Sequence, residues 1–340
     1  MTKKAFLGID VSMETLDFAL MFEDHLQKYQ YLKTKNELSG FEEMLTWLKK
    51  KKIDLSHLLV VLEHTGVYTL DLLLFLEECN ISYSIVPGLE IKLSLGIQRG
   101  KNDKVDASRI AYYGFLFRHK LTPSQLASKE LITLKQWLTT RALWIKHKTS
   151  VSNSLKSHQK LNKMTENDLV AEMLINQIKA LDQDIKRAEK EMKAIVLSKQ
   201  ELKENYKLLI SITGIGDIIA YALIISTNNF TAFSNAREYM SYIGVAPFEK
   251  ESGKYRSKKR VCKIANVKLK ALMHNGVNSA ITHDPETQAY YLRKMEQGKL
   301  KRQAKNAIVG KLILRAFAVI KRGTPFVALY SQKIIAKKVA

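Results

Sequence analysis

Two short apolar runs, Ala5–Ile9 and Leu58–Leu62, each give way at once to an acid, Asp10 and Glu63. Runs of this length and composition are strands, and the second is of the continuous kind buried in the centre of a sheet. An acid that ends such a strand leaves the core for a cleft, because an unpaired carboxylate is costly in an apolar layer. Two more acids, Asp103 and Asp106, sit three apart in Lys101-Asn102-Asp103-Lys104-Val105-Asp106, where a helix begins. Four carboxylates placed in this way suggest a divalent-metal site that cuts a phosphate backbone.

The charge balance fits that substrate. The 340 residues include 55 Lys and Arg against 33 Asp and Glu, a net charge of +22. Such an excess points to a polyanion, and nucleic acid is a commoner partner than a membrane surface. Charge that serves solubility alone is spread evenly, and this is not. From Thr287 to the end there are thirteen Lys and Arg and one acid, Glu296; from Lys250 to Lys270 there are nine and one acid, Glu251. Cys79 and Cys262 form no metal-ligand pattern. No signal peptide is evident and no apolar run approaches the roughly 20 residues of a membrane span, so a cytoplasmic protein without a disulfide is expected.

The chain divides by pattern into three parts: 1–122, 123–205 and 206–340. In the first, a strand Leu16–Phe22 returns after the turn Ser12-Met13-Glu14-Thr15. A helix Leu38–Lys50 follows, with Ser39 available as its cap, then the strand Leu58–Leu62, a helix Tyr68–Glu78, a strand Ser82–Val86 stopped by Pro87-Gly88, and a helix from about Lys104 to Phe117. Alternation of this kind gives an α/β layer domain. No proline occurs between Pro123 and Pro247. Ile178, Leu181, Ile185, Ala188, Met192 and Ile195 repeat at intervals of three and four, a heptad seam, and Leu131, Leu134, Leu138 and Ile145 stripe the preceding helix. The simplest arrangement is a helical hairpin, roughly 128–163 and 167–199, whose seam pairs within the chain or between subunits.

The third part is mainly helical. Its first helix breaks at Thr213-Gly214-Ile215-Gly216, a turn that suits either a phosphate cradle of backbone N–H groups or a plain interruption. A helix Asn235–Tyr242, a loop 244–259, a basic helix near 263–280, the turn His283-Asp284-Pro285 and a last helix from about Asn306 to Lys321 complete it.

Cutting a phosphodiester requires an activated attacking oxygen, neutralised phosphate charge and a stabilised leaving oxygen. Two Mg²⁺ ions about 3.5–4 Å apart supply all three and prefer hard oxygen ligands. Asp10 on a central strand could bridge them, with Glu63 from a neighbouring strand end and Asp103 and Asp106 from one helix turn. Each acid taken alone also reads as a cap or a solvated charge; Asp103, for one, could be the N-cap of its helix.

These motifs together resemble a known family. Gly8-Ile9-Asp10-Val11-Ser12, Glu63-His64-Thr65-Gly66-Val67-Tyr68 and Lys101-Asn102-Asp103-Lys104-Val105-Asp106-Ala107 are similar to the RuvC-like (ribonuclease H-fold) DEDD domain of the IS110/IS1111-family transposases, relatives of the Piv DNA invertases. Ile212-Thr213-Gly214-Ile215-Gly216, Tyr242-Ile243-Gly244-Val245-Ala246-Pro247 and Glu251-Ser252-Gly253-Lys254 resemble that family's second domain.

The resemblance implies a recombinase that acts on donor and target DNA with Mg²⁺, or Mn²⁺ in its place, held by Asp10, Glu63, Asp103 and Asp106. It also implies a serine nucleophile, here Ser252, and a structured guide RNA; strand exchange needs at least two sites held together, so a homodimer or homotetramer that uses the heptad seam is expected. From local sequence Ser252 reads as a turn residue, and Ser257 lies in an equally basic stretch; the resemblance alone singles out Ser252. Lys254, Arg256, Lys258, Lys259, Arg260, Lys263, Lys268 and Lys270 are the expected backbone contacts, which orient nucleic acid without reading its sequence. Relatives commonly have Gly-Asn before an arginine-rich helix start, whereas this chain has Ala265-Asn266 with Lys268 and Lys270, so bidentate arginine grip is lost there. A RuvC-like structure-selective endonuclease would need the acids but not Ser252, and a Piv-like invertase would need no guide RNA.

Overall fold

The computed structural model describes residues 4–63, 66–96, 102–161, 168–248, 251–252, 255–256, 260–261 and 265–328. The chain forms two compact units, Met1–Leu126 and Ala127–Ala340.

The first unit is built on a five-stranded sheet. Strands β1 (Ala5–Val11), β2 (Thr15–Phe22) and β3 (His25–Lys35) form an antiparallel meander, and β4 (Leu58–Glu63) and β5 (Tyr83–Val86) add in parallel beyond β1, giving the order β3-β2-β1-β4-β5. This is the mixed α/β layer expected of a ribonuclease H-type domain. Strand alternation sorts the side chains. Leu7, Ile9, Leu16, Phe18, Val60 and Leu62 pack against α1 (Leu38–Lys50) and α2 (Leu70–Glu78). On the opposite face Phe6, Met21, Leu59 and Val61 meet Ile110 and Tyr113 of α4 (Asp103–Leu116), which follows the short helix α3 (Gly88–Ser94). By the same two-residue period, Gly8, Asp10, Asp17 and Glu63 belong to the α4 face.

The expected strands and helices of this unit are present with ends shifted by a few residues, and the helix before Glu78 starts as a 3₁₀ turn, Gly66–Thr69. Two expected caps are corrected. Glu37, not Ser39, is the N-cap residue of α1, and the Ser39 hydroxyl donates to the Glu37 carboxylate at 2.8 Å. Asn102, not Asp103, caps α4, its side-chain oxygen accepting from the Val105 N–H at 2.9 Å; Asp103 is the first helical residue. Strand β3 was not foreseen. It is an edge strand with a mostly exposed, lysine-rich sequence, so it lacks the apolar alternation that betrays a buried strand.

In the second unit α5 (Lys129–Leu161) and α6 (Leu169–Ser198) pack side by side as the expected hairpin. Ile185, Ala188 and Met192 of the heptad seam are buried within the chain, so the seam pairs intramolecularly there. Arg141–Glu189 at 2.7 Å and Lys148–Asp182 at 2.5 Å tie the two helices alongside it. At its base the hairpin shares one core with α7 (Gln200–Ile210), α8 (Asp217–Ser226), α9 (Ala236–Tyr242), α10 (Val267–His283) and α12 (Lys301–Arg322). Asp284 caps α11 (Pro285–Glu296), a helix that the sequence reading passed over.

The Gly-Ile-Gly turn joins α7 to α8. Gly214 has φ +96°, and a Cβ there would stand 2.7 Å from the Ala280 Cβ and 2.8 Å from the Gly276 carbonyl of α10. Close backbone packing accounts for this glycine. Among the described residues no helix is long and apolar enough to cross a membrane.

Candidate active site

Sheet register decides where the acids stand. Asp10 lies opposite Asp17 in the antiparallel β1–β2 pair, and Asp17 lies opposite Lys33 in β2–β3. On the other side Ile9 pairs with Leu62, so Glu63 ends β4 beside Asp10. A row Lys33, Asp17, Asp10, Glu63 thus crosses the α4 face of the sheet. The Glu63 side chain lies where a Cβ on Gly88, the first residue of α3, would collide with its carboxylate, so glycine there leaves it room.

Helix α4 brings the other two acids. Ala107 and Ala111 are fully buried against the sheet, and a Cβ on Gly8 would run into the Ala107 carbonyl and the Ala111 N–H. Glycine in the strand and alanines in the helix allow contact at backbone distance. That contact sets the first turn of α4, with Asp103 and Asp106, over the end of β1.

The electrostatics record the result. Asp10 is pushed up to about 6 from its usual value near 3.8, first by burial, then by repulsion from Asp106, Asp103, Glu63 and Asp17 in that order. All three of the other expected ligands therefore act on Asp10. Three carboxylates are also held by cations. Lys33 Nζ lies 2.9 Å from Asp17 and 3.6 Å from Asp103, and Arg109 lies 2.8 Å from Asp106. Among the described residues no three Asp, Glu, His or Cys side chains stand at the spacing of a closed ligand shell. The donor set still suits a hard divalent cation, since its acceptors are carboxylate oxygens and the ionised form of its central member is disfavoured by burial and by the surrounding carboxylates.

The expected residues of the second unit are placed less completely. Ser252 ends a two-residue strand, β7 (Glu251–Ser252), that pairs antiparallel with β8 (Tyr255–Arg256), Ser252 opposite Tyr255. Arg256 lies in β8, and Arg260 in β9 (Arg260–Val261), which pairs with β6 (Pro247–Phe248). Lys254, Ser257, Lys258, Lys259 and Lys263 fall outside the described residues. Lys268 is exposed on the first turn of α10. Lys270, one residue beyond Leu269, is half-buried and donates to the Gly244 carbonyl at 2.6 Å. Burial and then the neighbouring Arg302 hold its amine below the usual lysine range.

Comparison with known proteins agrees with this layout. A family model for the DEDD domain of IS110-type elements, described as a transposase, matches residues 7–162. A second, described as the transposase IS116/IS110/IS902 family, matches residues 206–292. The chain belongs to the IS110 family of transposases. It is 27% identical to a pilin gene-inverting protein of Moraxella bovis over 95% of this chain and 98% of that protein. It is also 27% identical to an uncharacterized 43.6 kDa protein of insertion element IS110 from Streptomyces coelicolor, over 46% of this chain and 38% of that one. Among solved structures, Thermus thermophilus RuvC in complex with a Holliday junction substrate aligns over 36% of this chain and 99% of its own, at 12% identity and a TM-score of 0.28. The protein is a DNA recombinase of the transposase class.

In this transposase, two residues of the acid row escaped the sequence reading. Asp17 interrupts an apolar run, Leu16-Asp17-Phe18-Ala19, and is only 9% exposed. A buried acid in a strand was a usable signal. Lys33 carried none, since it is one of several lysines in a strand without apolar alternation.

Proposed function

We propose that this transposase cuts and rejoins DNA strands, moving an insertion sequence between donor and target DNA, with the four acids as its cation ligands and Ser252 as its nucleophile. Asp10, Glu63, Asp103 and Asp106 would hold Mg²⁺, or Mn²⁺ in its place. Such ions neutralise the scissile phosphate and favour ionised oxygen nucleophiles. The observation that carries the reading is the strained ionisation of Asp10, pushed up to about 6 by burial and by the other three acids. Three of the four acids that repel it, Asp106, Asp103 and Glu63, are those that the DEDD motif names.

The Ser252 oxygen attacks the phosphorus of one phosphodiester. A Ser252 Oγ–P bond forms as the bond from phosphorus to a strand oxygen breaks, and the departing oxygen takes up a proton as a free hydroxyl. A hydroxyl of another strand then attacks the same phosphorus, and Ser252 Oγ leaves. The number of phosphate ester bonds is unchanged, so rejoining needs no ATP. Lys254, Arg256, Lys258, Lys259, Arg260, Lys263 and Lys268 are assigned to the phosphate backbone. Strand exchange requires at least two sites held together, hence a homodimer or homotetramer. Because Ile185, Ala188 and Met192 are already buried in the chain, that assembly would use another surface.

Denaturing gels of the protein incubated with labelled donor DNA test the assignment. Ser252→Ala should abolish the covalent protein–DNA adduct while binding persists, and Asp10→Asn should lower all strand cleavage by a factor of at least about 10². Persistent adducts in Ser252→Ala would remove Ser252 from the mechanism. Free hydrolysis products from the wild type, without adducts, would favour an endonuclease.

A second reading concerns the guide. An element-encoded RNA that pairs with donor and target is the first expectation. A relative matched over nearly its full length is, however, a gene-inverting protein, which favours the alternative of site-specific inversion. Recombination that survives ribonuclease treatment of the purified complex would decide for inversion; loss on treatment, restored by adding back the extracted RNA, would decide for guidance.

A further inference from the structure

Lys33 stands at the acid site with no assigned role. Its ammonium bridges Asp17 on the neighbouring strand, at 2.9 Å, and Asp103 at the start of α4, at 3.6 Å. The two acids differ. The Asp17 side chain is largely buried and the Asp103 side chain is 62% exposed. The shorter bond to the buried acid is the permanent one, since a desolvated carboxylate left without its counter-charge is costly. The longer bond, to an exposed acid, is weak and easily exchanged.

The rest of β3 reinforces the placement. Tyr31 is hydrogen-bonded to Ser108 of α4 at 3.0 Å, and the Lys104 ammonium lies 4.0 Å above the Tyr31 ring. The edge strand therefore fixes Lys33 against the helix turn that carries two of the four proposed ligands. The Lys33 side chain is itself 53% exposed, so its end can shift without opening the core.

We propose that Lys33 is a positioning residue and built-in counter-ion of the acid site, holding Asp103 until a divalent cation takes its place there, and remaining bound to Asp17 throughout. This rests on the reading of Asp10, Glu63, Asp103 and Asp106 as a divalent-cation site. Lys33 then sets the threshold for loading: it lowers repulsion among the acids in the free protein and competes with the incoming cation for Asp103.

The test is divalent binding by the full chain, measured by calorimetry and by the rise in unfolding temperature as Mg²⁺ or Mn²⁺ is added. Lys33→Met should unfold at a lower temperature in EDTA, because the acids lose their counter-charge, yet bind the cation roughly three- to tenfold more tightly. Lys33→Arg should restore wild-type affinity. A merely structural role for Lys33 would lower stability and affinity together. If Lys33→Met does not fold, Lys33→Gln, which keeps a hydrogen-bond donor for Asp17 but no charge, carries the same expectation. Unchanged or weaker affinity in the neutral variant overturns the proposal, as does an arginine variant that behaves like the neutral one. A wild type with no divalent response, indistinguishable from Asp10→Asn, overturns the site reading and the Lys33 role with it. A wild-type response that Asp10→Asn removes and Lys33→Met leaves unchanged overturns the Lys33 role alone.

Discussion

The acid site of the first unit and the serine-bearing segment of the second are held by different kinds of structure. Asp10 and Glu63 end strands whose register with their neighbours runs back through the sheet core, and Asp103 and Asp106 open a fourteen-residue helix packed on that sheet. Ser252 ends a two-residue strand paired with another two-residue strand. The acids inherit their spacing from the fold, whereas among the described residues Ser252 is placed by the pairing of β7 with β8. A cation site needs ligands fixed to within about half an ångström, and long, core-anchored elements supply that precision.

If the core sets the acid geometry, disturbing the core far from any carboxylate should disturb the site, and this is the largest stability effect we expect. Gly8→Val places a branched side chain into the backbone of α4 at Ala107 and Ala111. Helix and strand must separate, at a cost of about 3 kcal/mol. The unfolding midpoint should fall, and the divalent-induced rise in that midpoint should disappear although all four carboxylates remain. A variant with wild-type stability and wild-type divalent response would mean that α4 is not seated on β1 as described.

The same contrast explains what could be read from the sequence. Asp10 and Glu63 were legible because an apolar run that ends in an acid is a local pattern, and β1 and β4 followed from the same runs. Helix α4 was legible in outline, but its seating was not. That seating depends on Gly8 meeting Ala107 and Ala111 about a hundred residues away, and no periodicity encodes such a meeting. Strand β3 was missed because an edge strand is held by backbone hydrogen bonds and shows solvent a lysine-rich surface, so Lys33 was missed with it. Gly214 was legible as a break in a helix. Its reason, close packing on Gly276 and Ala280, came only with the tertiary structure.

The next effect is smaller and depends on pH. Asp10 takes up its proton near pH 6 in the folded chain and near its usual 3.8 when unfolded. The folded state thus favours the neutral acid. Stability declines as pH rises from about 4 to about 6, and the penalty is complete above that range. Asparagine cannot ionise, so in EDTA Asp10→Asn should be more stable than the wild type at pH 8, by about 1–2 kcal/mol once solvent screening is allowed for. The gain should vanish below about pH 4. Saturating divalent cation should reverse the order, because only the wild type gains from binding. A gain that is the same at pH 4 and pH 8 would show that repulsion among the acids is not its source.

The smallest expected effect separates two lysines of the basic segment that look alike in sequence. Lys268 is exposed, while Lys270 is half-buried with its amine on the Gly244 carbonyl. If Lys268 meets phosphate, Lys268→Ala should weaken binding to every DNA sequence alike and reduce the slope of log affinity against log salt by about 1. Lys270→Ala should leave that slope unchanged and cost about 1 kcal/mol of stability through the lost hydrogen bond. Binding isotherms between about 50 and 200 mM salt, with unfolding curves for both variants, distinguish the two roles. Equal loss of slope would mean that Lys270 leaves Gly244 when DNA binds, and the division between a structural amine and a phosphate-binding one would then belong to the free protein alone.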